Sequence, residues 1–467
     1  MYQSIYESGI TFEQLLSFTK GSPIRITDRS AVAHGISIDS RTAKKGDVFI
    51  ALRGENFDGH RFISTAEQAG CVIAIVEYVP EGVSMPCIVV DNTKDALGYI
   101  ARDYKRLFRT ISVAVTGSVG KTTTKQFIYA VLETKYKTNV TKGNFNNEIG
   151  LPLTLFGLDH THEAQLLEMG MNHKGEIAYL SRLAEPNIAV ITNIGSAHLE
   201  NLGSREGIRD AKMEIVEGMS RGGILILNAD EPLLEGVKTD GICKIYVGIA
   251  NENATYHAKN IRVLDDHMLF DIRLHDGKIM NDVRVNVIGK HNIYNALFAC
   301  VCGIVLGISE EKIREGLLRF TPADMRQAIS EKDGITIIED CYNASPESMR
   351  AGLDVLCHTA KTKGLRPVAV LGDMRELGDA SDSAHLGVGA YAAKADLAHL
   401  ITFGKDAALI AKGAISGGMS EDKITVIEDI ENAEIAAQLV KNTIKTGDAV
   451  LFKASRAVAI ERIIRLL

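Results

Sequence analysis

Residues 111–133 read ISVAVTGSVGKTTTKQFIYAVLE. A β-branched run, a glycine loop, and a stretch with Phe127 and Val131 four apart on one helical face predict strand, turn and helix in that order. Such a unit cradles phosphate. Thr116, Gly117, Ser118, Val119 and Gly120 make the loop, in which the two glycines let backbone N–H groups turn inward. Lys121 brings a cation to the β- and γ-phosphates, Thr122 offers a hydroxyl to Mg²⁺, and Thr123 follows in the same helical turn. The spacing departs from the eight-residue GxxxxGK[ST] form, because Val115 stands where that pattern wants its first glycine. No Asn-Lys-x-Asp element for reading guanine accompanies the loop, which favours ATP.

The same alternation continues outward. From Ile111 to about Val247, the runs IAVITNI, GILILN and CKIYV are separated by helical stretches, the pattern of a mostly parallel sheet. Before it, DVFIAL (47–52), VIAIVE (72–77) and PCIVV (86–90) supply a small α/β unit ending near Phe108. After a helical segment ending near Phe320, the runs ITIIED, PVAVLG, HLITFG, ITVI and DAVLFK begin a second strand–helix alternation. The expected architecture is α/β in three domains, at 1–108, 109–320 and 321–467, with the last Rossmann-like. A chain of 467 residues suits that count at about 150 residues per domain.

Composition removes other classes. A formal net charge of -7 argues against a nucleic-acid surface, which needs a basic face. The apolar run Ile293–Ile308 contains Asn295 and falls short of the roughly 20 residues that span a bilayer, so it reads as a buried helix. Seven cysteines without a CxxC pair, and a start (MYQSIYESGITFEQLL) with no basic-then-apolar leader pattern, point to a reducing, cytoplasmic setting. No coiled coil or obvious dimer strand is legible, and a monomer is expected.

Three further groups follow the loop at or just past strand ends: Glu168, His198 and Lys212. Open parallel sheets bind ligands there. Glu168 is a candidate Mg²⁺ ligand, since Mg²⁺ prefers oxygen, although an isolated Glu is more often a solvated or capping carboxylate. Imidazole is not the expected Mg²⁺ ligand, and an ammonium repels a cation. On chemistry alone, therefore, His198 and Lys212 are equally well a satisfied structural histidine and a surface lysine.

The segments TGSVGKTTTK, GNFNNEIGLPLT (143–154), EMGMNHKGEI (168–177), NIGSAHLENLGSREGIRDAKMEI (193–215) and GKHNIYNAL (289–297) resemble the Mur ligase superfamily in order and spacing. IDSRTAKKGDVFIALRGENFDGHRFI (38–63), EDCYNASPESM (339–349), VLGDMRELG (370–378) and FKASR (452–456) resemble its D-alanyl-D-alanine-adding branch. The resemblance implies an ATP-dependent ligase that joins D-alanyl-D-alanine to UDP-N-acetylmuramoyl-tripeptide in peptidoglycan synthesis, through an acyl phosphate, with two Mg²⁺ ions. It implies that Lys212 is carbamylated and, with His198, binds the second Mg²⁺. It makes Lys121, His198 and Lys212 the catalytic set and places Asn292, Asn295, Arg326 and Asp340 at the nucleotide. Ser40 and Arg41 in the first domain would hold the UDP moiety. Asn144, Asn146, Asn147, Tyr342, Asn343, Lys453, Ser455 and Arg456 would contact the peptide substrates. Ala454 and Ser345 depart from the family pattern, which usually has glycine and often asparagine there. Another amide ligase of this architecture, an earlier Mur enzyme or a folate polyglutamylating one, is the nearest alternative, and a nucleotide switch that does no ligation is a more distant one.

Overall fold

The computed structural model describes residues 2–4, 9–428 and 432–467. Three parallel-rich sheets follow one another along the chain. The first has six strands in the order Tyr2–Ser4, Gly35–Ser37, Asp47–Ile50, Ile73–Val76, Cys87–Val89 and Ser22–Ile24. Its middle four are parallel, and the strand at each edge is antiparallel to its neighbour. The second sheet has nine strands, with Ile111–Thr116 between Ala164–Glu168 and Ile188–Ile191. The third has six, of which only Ala328–Lys332 is antiparallel.

The middle sheet extends beyond the alternation read from the sequence. After Cys243–Gly248 come Tyr256–Val263, Met268–Arg273 and Ile279–Val285, the last two joining as antiparallel hairpins. Register shifts between Lys259 and Arg262 and between Phe270 and Ile272 interrupt them, and Asn260 and Asp282 sit there with positive φ. Such bulges break the period-two pattern by which a strand is recognised. The run from Ile293 falls in the helix Lys290–Val305, which is buried as expected. Among the described residues no helix is long and apolar enough to cross a membrane.

The two domain junctions differ in kind. One apolar cluster runs from Ile36 and Ile75 of the first sheet through Leu97, Ile100 and Tyr104 of the helix Thr93–Lys105 to Leu155, Ile177 and Ile191 of the middle domain. Tyr104 also donates its hydroxyl to the Leu158 carbonyl at 2.8 Å. The third sheet keeps separate clusters on its two faces. Its side-chain contacts with the middle domain include polar ones, Ser196 with Glu347 and His198 with Glu376.

On the other face of the middle sheet, Phe127 of the helix Lys121–Leu132 is fully buried and stacks on Phe320, ring centroids 3.6 Å apart. This stack ties the helix behind the glycine loop to the end of the middle domain. Phe127→Ala should destabilise that domain by about 3–5 kcal/mol. Urea unfolding of the purified chain measures it, and a loss below ~1 kcal/mol would show that the ring does not hold this face.

Candidate active site

The glycine loop connects Ile111–Thr116 to Lys121–Leu132, and its shape is enforced by neighbours. Gly117 has φ +149, and a Cβ there would lie 1.9 Å from Thr192 Oγ1, so no larger residue fits. Asn193 braces the loop from both sides. Its Oδ1 accepts from Val119 N at 3.0 Å and its Nδ2 donates to Val119 O at 2.9 Å, while Thr192 Oγ1 donates to the same carbonyl at 2.7 Å. The helix that follows has no side-chain cap, so its first N–H groups remain available to an anion. Lys121 curls back over the loop and donates to Gly117 O at 2.8 Å. Ser118 Oγ is buried without a hydrogen-bond partner in the described structure. Thr116, by contrast, spends its hydroxyl on the Met169 carbonyl.

Glu168, 2% exposed, ends the neighbouring strand and faces the loop. Its carboxylate accepts from Thr122 Oγ1 at 2.9 Å and from Asn146 Nδ2 at 2.9 Å, and Lys125 Nζ lies 3.3 Å away. Burial alone would raise its pKa. The charges of Lys125, Arg326 and Lys121, with the Asn146 hydrogen bond, outweigh that and hold it below the usual carboxylate range. A hydroxyl and an ionised carboxylate beside a phosphate loop are a fitting oxygen set for Mg²⁺.

Around these groups lies a cleft of about 820 Å³, lined by the second and third domains. Of the residues singled out above, it brings together Ser118 through Thr123, Asn146, Asn147, Glu168, His198, Asn292, Asn295, Arg326, Asp340, Tyr342, Asn343 and Lys453. Asn295 accepts from Thr124 Oγ1 at 2.8 Å and donates to Asn292, which donates to Ile288 O and to Gln327. Arg326 stacks on Tyr342 at 4.1 Å, and Lys453 donates to Asp340 at 2.6 Å.

Thr116, Gly117, Asn144, Ser455, Arg456, Ser40, Arg41 and Lys212 lie outside the cleft lining. Asn144 is exposed. Ser455 is buried and accepts from Arg375 N, and Arg456 pairs with Glu461. Ser40 and Arg41 belong to the first domain, where Arg41 pairs with Asp39 at 2.7 Å. Lys212 lies 1% exposed in the last turn of the helix Arg205–Met213. Burial, then the charge of Lys121, push its ammonium pKa far below the ordinary lysine value. His198 has φ +66, and its Nδ1 lies 2.8 Å from Glu376 Oε2 of the third domain without the alignment of a hydrogen bond. Lys125, Thr192, Asn193, Gln327 and Glu376 were not legible as site residues, because each acts through a neighbour distant in sequence.

Three family models match the chain: "Mur ligase family, catalytic domain" at residues 32–105, "Mur ligase middle domain" at 115–303, and "Mur ligase, glutamate ligase domain" at 325–456. A Bacillus subtilis protein named UDP-N-acetylmuramoyl-tripeptide--D-alanyl-D-alanine ligase is 38% identical over 461 residues, 97% of each chain. The chain belongs to the Mur ligase family. An Escherichia coli relative of the same name is 32% identical over 98% of each chain. Among solved structures of the family, a MurF from Acinetobacter baumannii superposes with TM-score 0.86 at 32% identity, covering 97% of this chain and 98% of that one. A Thermotoga maritima MurF ligase in complex with ADP gives TM-score 0.81 at 30% identity, covering 92% and 96%. A Mycobacterium tuberculosis folylpolyglutamate synthase shares only the fold, at 15% identity and TM-score 0.62.

Gly117→Ala should abolish measurable ADP binding in a calorimetric titration, because the added methyl collides with Thr192. Retained affinity would show that the loop does not hold the phosphates.

Proposed function

We propose that this Mur ligase joins D-alanyl-D-alanine to UDP-N-acetylmuramoyl-tripeptide, consuming ATP and releasing ADP and phosphate. One observation carries this reading. The braced glycine loop and Glu168 open on a cleft shared with the third domain, in a chain 38% identical over 97% of its length to a relative of that name. The likeness to the folate enzyme extends to fold alone, and the run of Glu168, His198 and Lys212 is unexplained in a switch that does no ligation.

In this reading residues 1–108 hold the UDP-linked substrate, with Ser40 and Arg41 near the UDP moiety. Residues 109–320 bind ATP and 321–467 receive the dipeptide. The tripeptide carboxylate attacks the γ-phosphate, ADP leaves, and the dipeptide amine attacks the resulting acyl phosphate to expel phosphate. Lys121 offsets charge on the transferring phosphoryl group. Asn292, Asn295, Arg326 and Asp340 position the nucleotide, and Asn146, Asn147, Tyr342, Asn343 and Lys453 surround the reacting peptides. Asn144, Ser455 and Arg456, outside the cleft lining, support them from behind.

Thr122 and Glu168 would hold one Mg²⁺, which supplies electrostatic stabilisation of the phosphates. Among the described residues no three His, Cys, Asp or Glu side chains gather as a metal cluster, so a second Mg²⁺ beside His198 needs another oxygen donor. Lys212 fits that need once carbamylated. Its amine is driven toward the neutral form, which adds CO₂ with loss of a proton, and the anion formed is attracted to Lys121 rather than repelled. A monomer in the cytoplasm is the setting we infer. The seven free cysteines suit a reducing compartment, and sedimentation would report the oligomeric state.

With all three substrates, mass spectrometry should find a product heavier by one dipeptide unit, and phosphate release should require the dipeptide. Dipeptide-independent release would contradict the reading. Lys121→Ala should lower kcat at saturating ATP by roughly 100-fold or more; near-wild-type turnover would remove its role. Lys212→Ala should be inactive and partly restored by a short-chain carboxylic acid. Full activity without added acid would remove the carbamate from the account.

A further inference from the structure

One of the segments through which the third domain meets the middle domain is Gly195–Glu200. Ser196 Oγ donates to Glu347 Oε1 at 3.0 Å, and Ser196 N donates to the same oxygen at 3.2 Å. A Cβ at Gly195 would lie 3.3 Å from the Glu347 carboxyl carbon, and one at Gly378 would lie 3.2 Å from Glu200 Cα. Between these close approaches His198 meets Glu376, Nδ1 to Oε2 at 2.8 Å. Both residues adopt left-handed backbone conformations, His198 at φ +66 and Glu376 at φ +65. A side chain other than glycine is uncommon there, and two such residues facing each other across a domain boundary are held by their surroundings.

We propose that Glu376 is a positioning residue of the ligase reaction: docking of the third domain brings its carboxylate to ion-pair distance of His198 Nδ1, and its charge orients the imidazole for the second cation. The inference rests on the functional reading above only in taking His198 as that cation's ligand. A histidine that binds a metal through one ring nitrogen needs the other nitrogen held, commonly by a carboxylate, or its orientation is lost. Here that carboxylate comes from a different domain. The cation site beside His198 is therefore complete only when the third domain is seated, which ties metal binding to closure over the acyl phosphate. Glu347 holds the same segment through Ser196 but does not touch the ring, so the two carboxylates have separable effects.

The test titrates Mn²⁺ into the full chain with ADP present and reads free Mn²⁺ by electron paramagnetic resonance. His198→Ala identifies the site that depends on the imidazole. Glu376→Gln should weaken that same site by about 10-fold or more, leave the other site unchanged, and lower kcat while the KM for ATP stays within about twofold, since the glycine loop is untouched. Glu376→Asp keeps the charge with a shorter reach and should fall between the two. Melting temperatures establish that each variant is folded, and either variant suffices. Wild-type Mn²⁺ affinity in a folded Glu376 variant overturns the proposal, as does wild-type binding unaffected by His198→Ala. Two-site Mn²⁺ binding by a wild type that makes no dipeptide-bearing product would sink the functional reading and leave the role of Glu376 standing.

Discussion

Burying a carboxylate is costly unless charges and hydrogen bonds compensate it, and Glu168 is 2% exposed at the centre of this molecule. Its compensation comes from five side chains: Thr122 and Lys125 of the helix behind the glycine loop, Asn146 of the following loop, and, through longer-range charge, Lys121 and Arg326. Lys121 itself feels Arg326, Glu168 and Glu376, and its charge reaches Lys212. The loop, the strand end, the buried lysine and two segments of the third domain thus belong to one electrostatic system. A nucleotide phosphate entering the cleft adds negative charge beside Lys121 and Arg326, which line it. Mg²⁺ would compete with Thr122 and Asn146 for the oxygens of Glu168.

The domain junctions allow this system to open and close on one side. The first and middle domains share a continuous apolar cluster, and separating them would expose Leu97, Ile100 and Tyr104. The third domain has its own clusters and meets the middle domain partly through polar side chains that water can solvate. Polar domain interfaces of this kind are where relative motion is expected. An acyl phosphate is destroyed by water, so a domain that seats over the cleft before chemistry and leaves afterwards suits the reaction.

Much of this was legible in the sequence for physical reasons. The glycine loop announces itself because strand, turn and helix agree over 23 consecutive residues from Ile111 to Glu133. The parallel strands are buried on both faces and read as apolar runs. The antiparallel extension at 256–285 was not legible, because its register shifts, with Asn260 and Asp282 at positive φ, break the alternation. The three-residue edge strands of the first sheet are too short to carry a period. Glu168, His198 and Lys212 could be picked out only by strand-end position and family resemblance. Lys125 beside Glu168, Asn193 beside Val119 and Glu376 beside His198 could not, since contacts across 43, 74 and 178 residues leave no local pattern. Ser455 and Arg456 were singled out with Lys453, yet only Lys453 lines the cleft. They follow the end of the strand Asp448–Lys453, and their side chains turn to Arg375 and Glu461 instead.

The central claim is that a carboxylate oxygen of the tripeptide attacks the γ-phosphate of ATP before the dipeptide amine arrives. Tripeptide substrate labelled with ¹⁸O in its terminal carboxylate tests this directly when the phosphate released in a complete reaction is weighed. One ¹⁸O atom per phosphate is the predicted result, because that oxygen leaves with phosphorus when the amide forms. Unlabelled phosphate, released alongside the dipeptide-bearing product, would contradict the acyl phosphate route and the arrangement of the site built upon it.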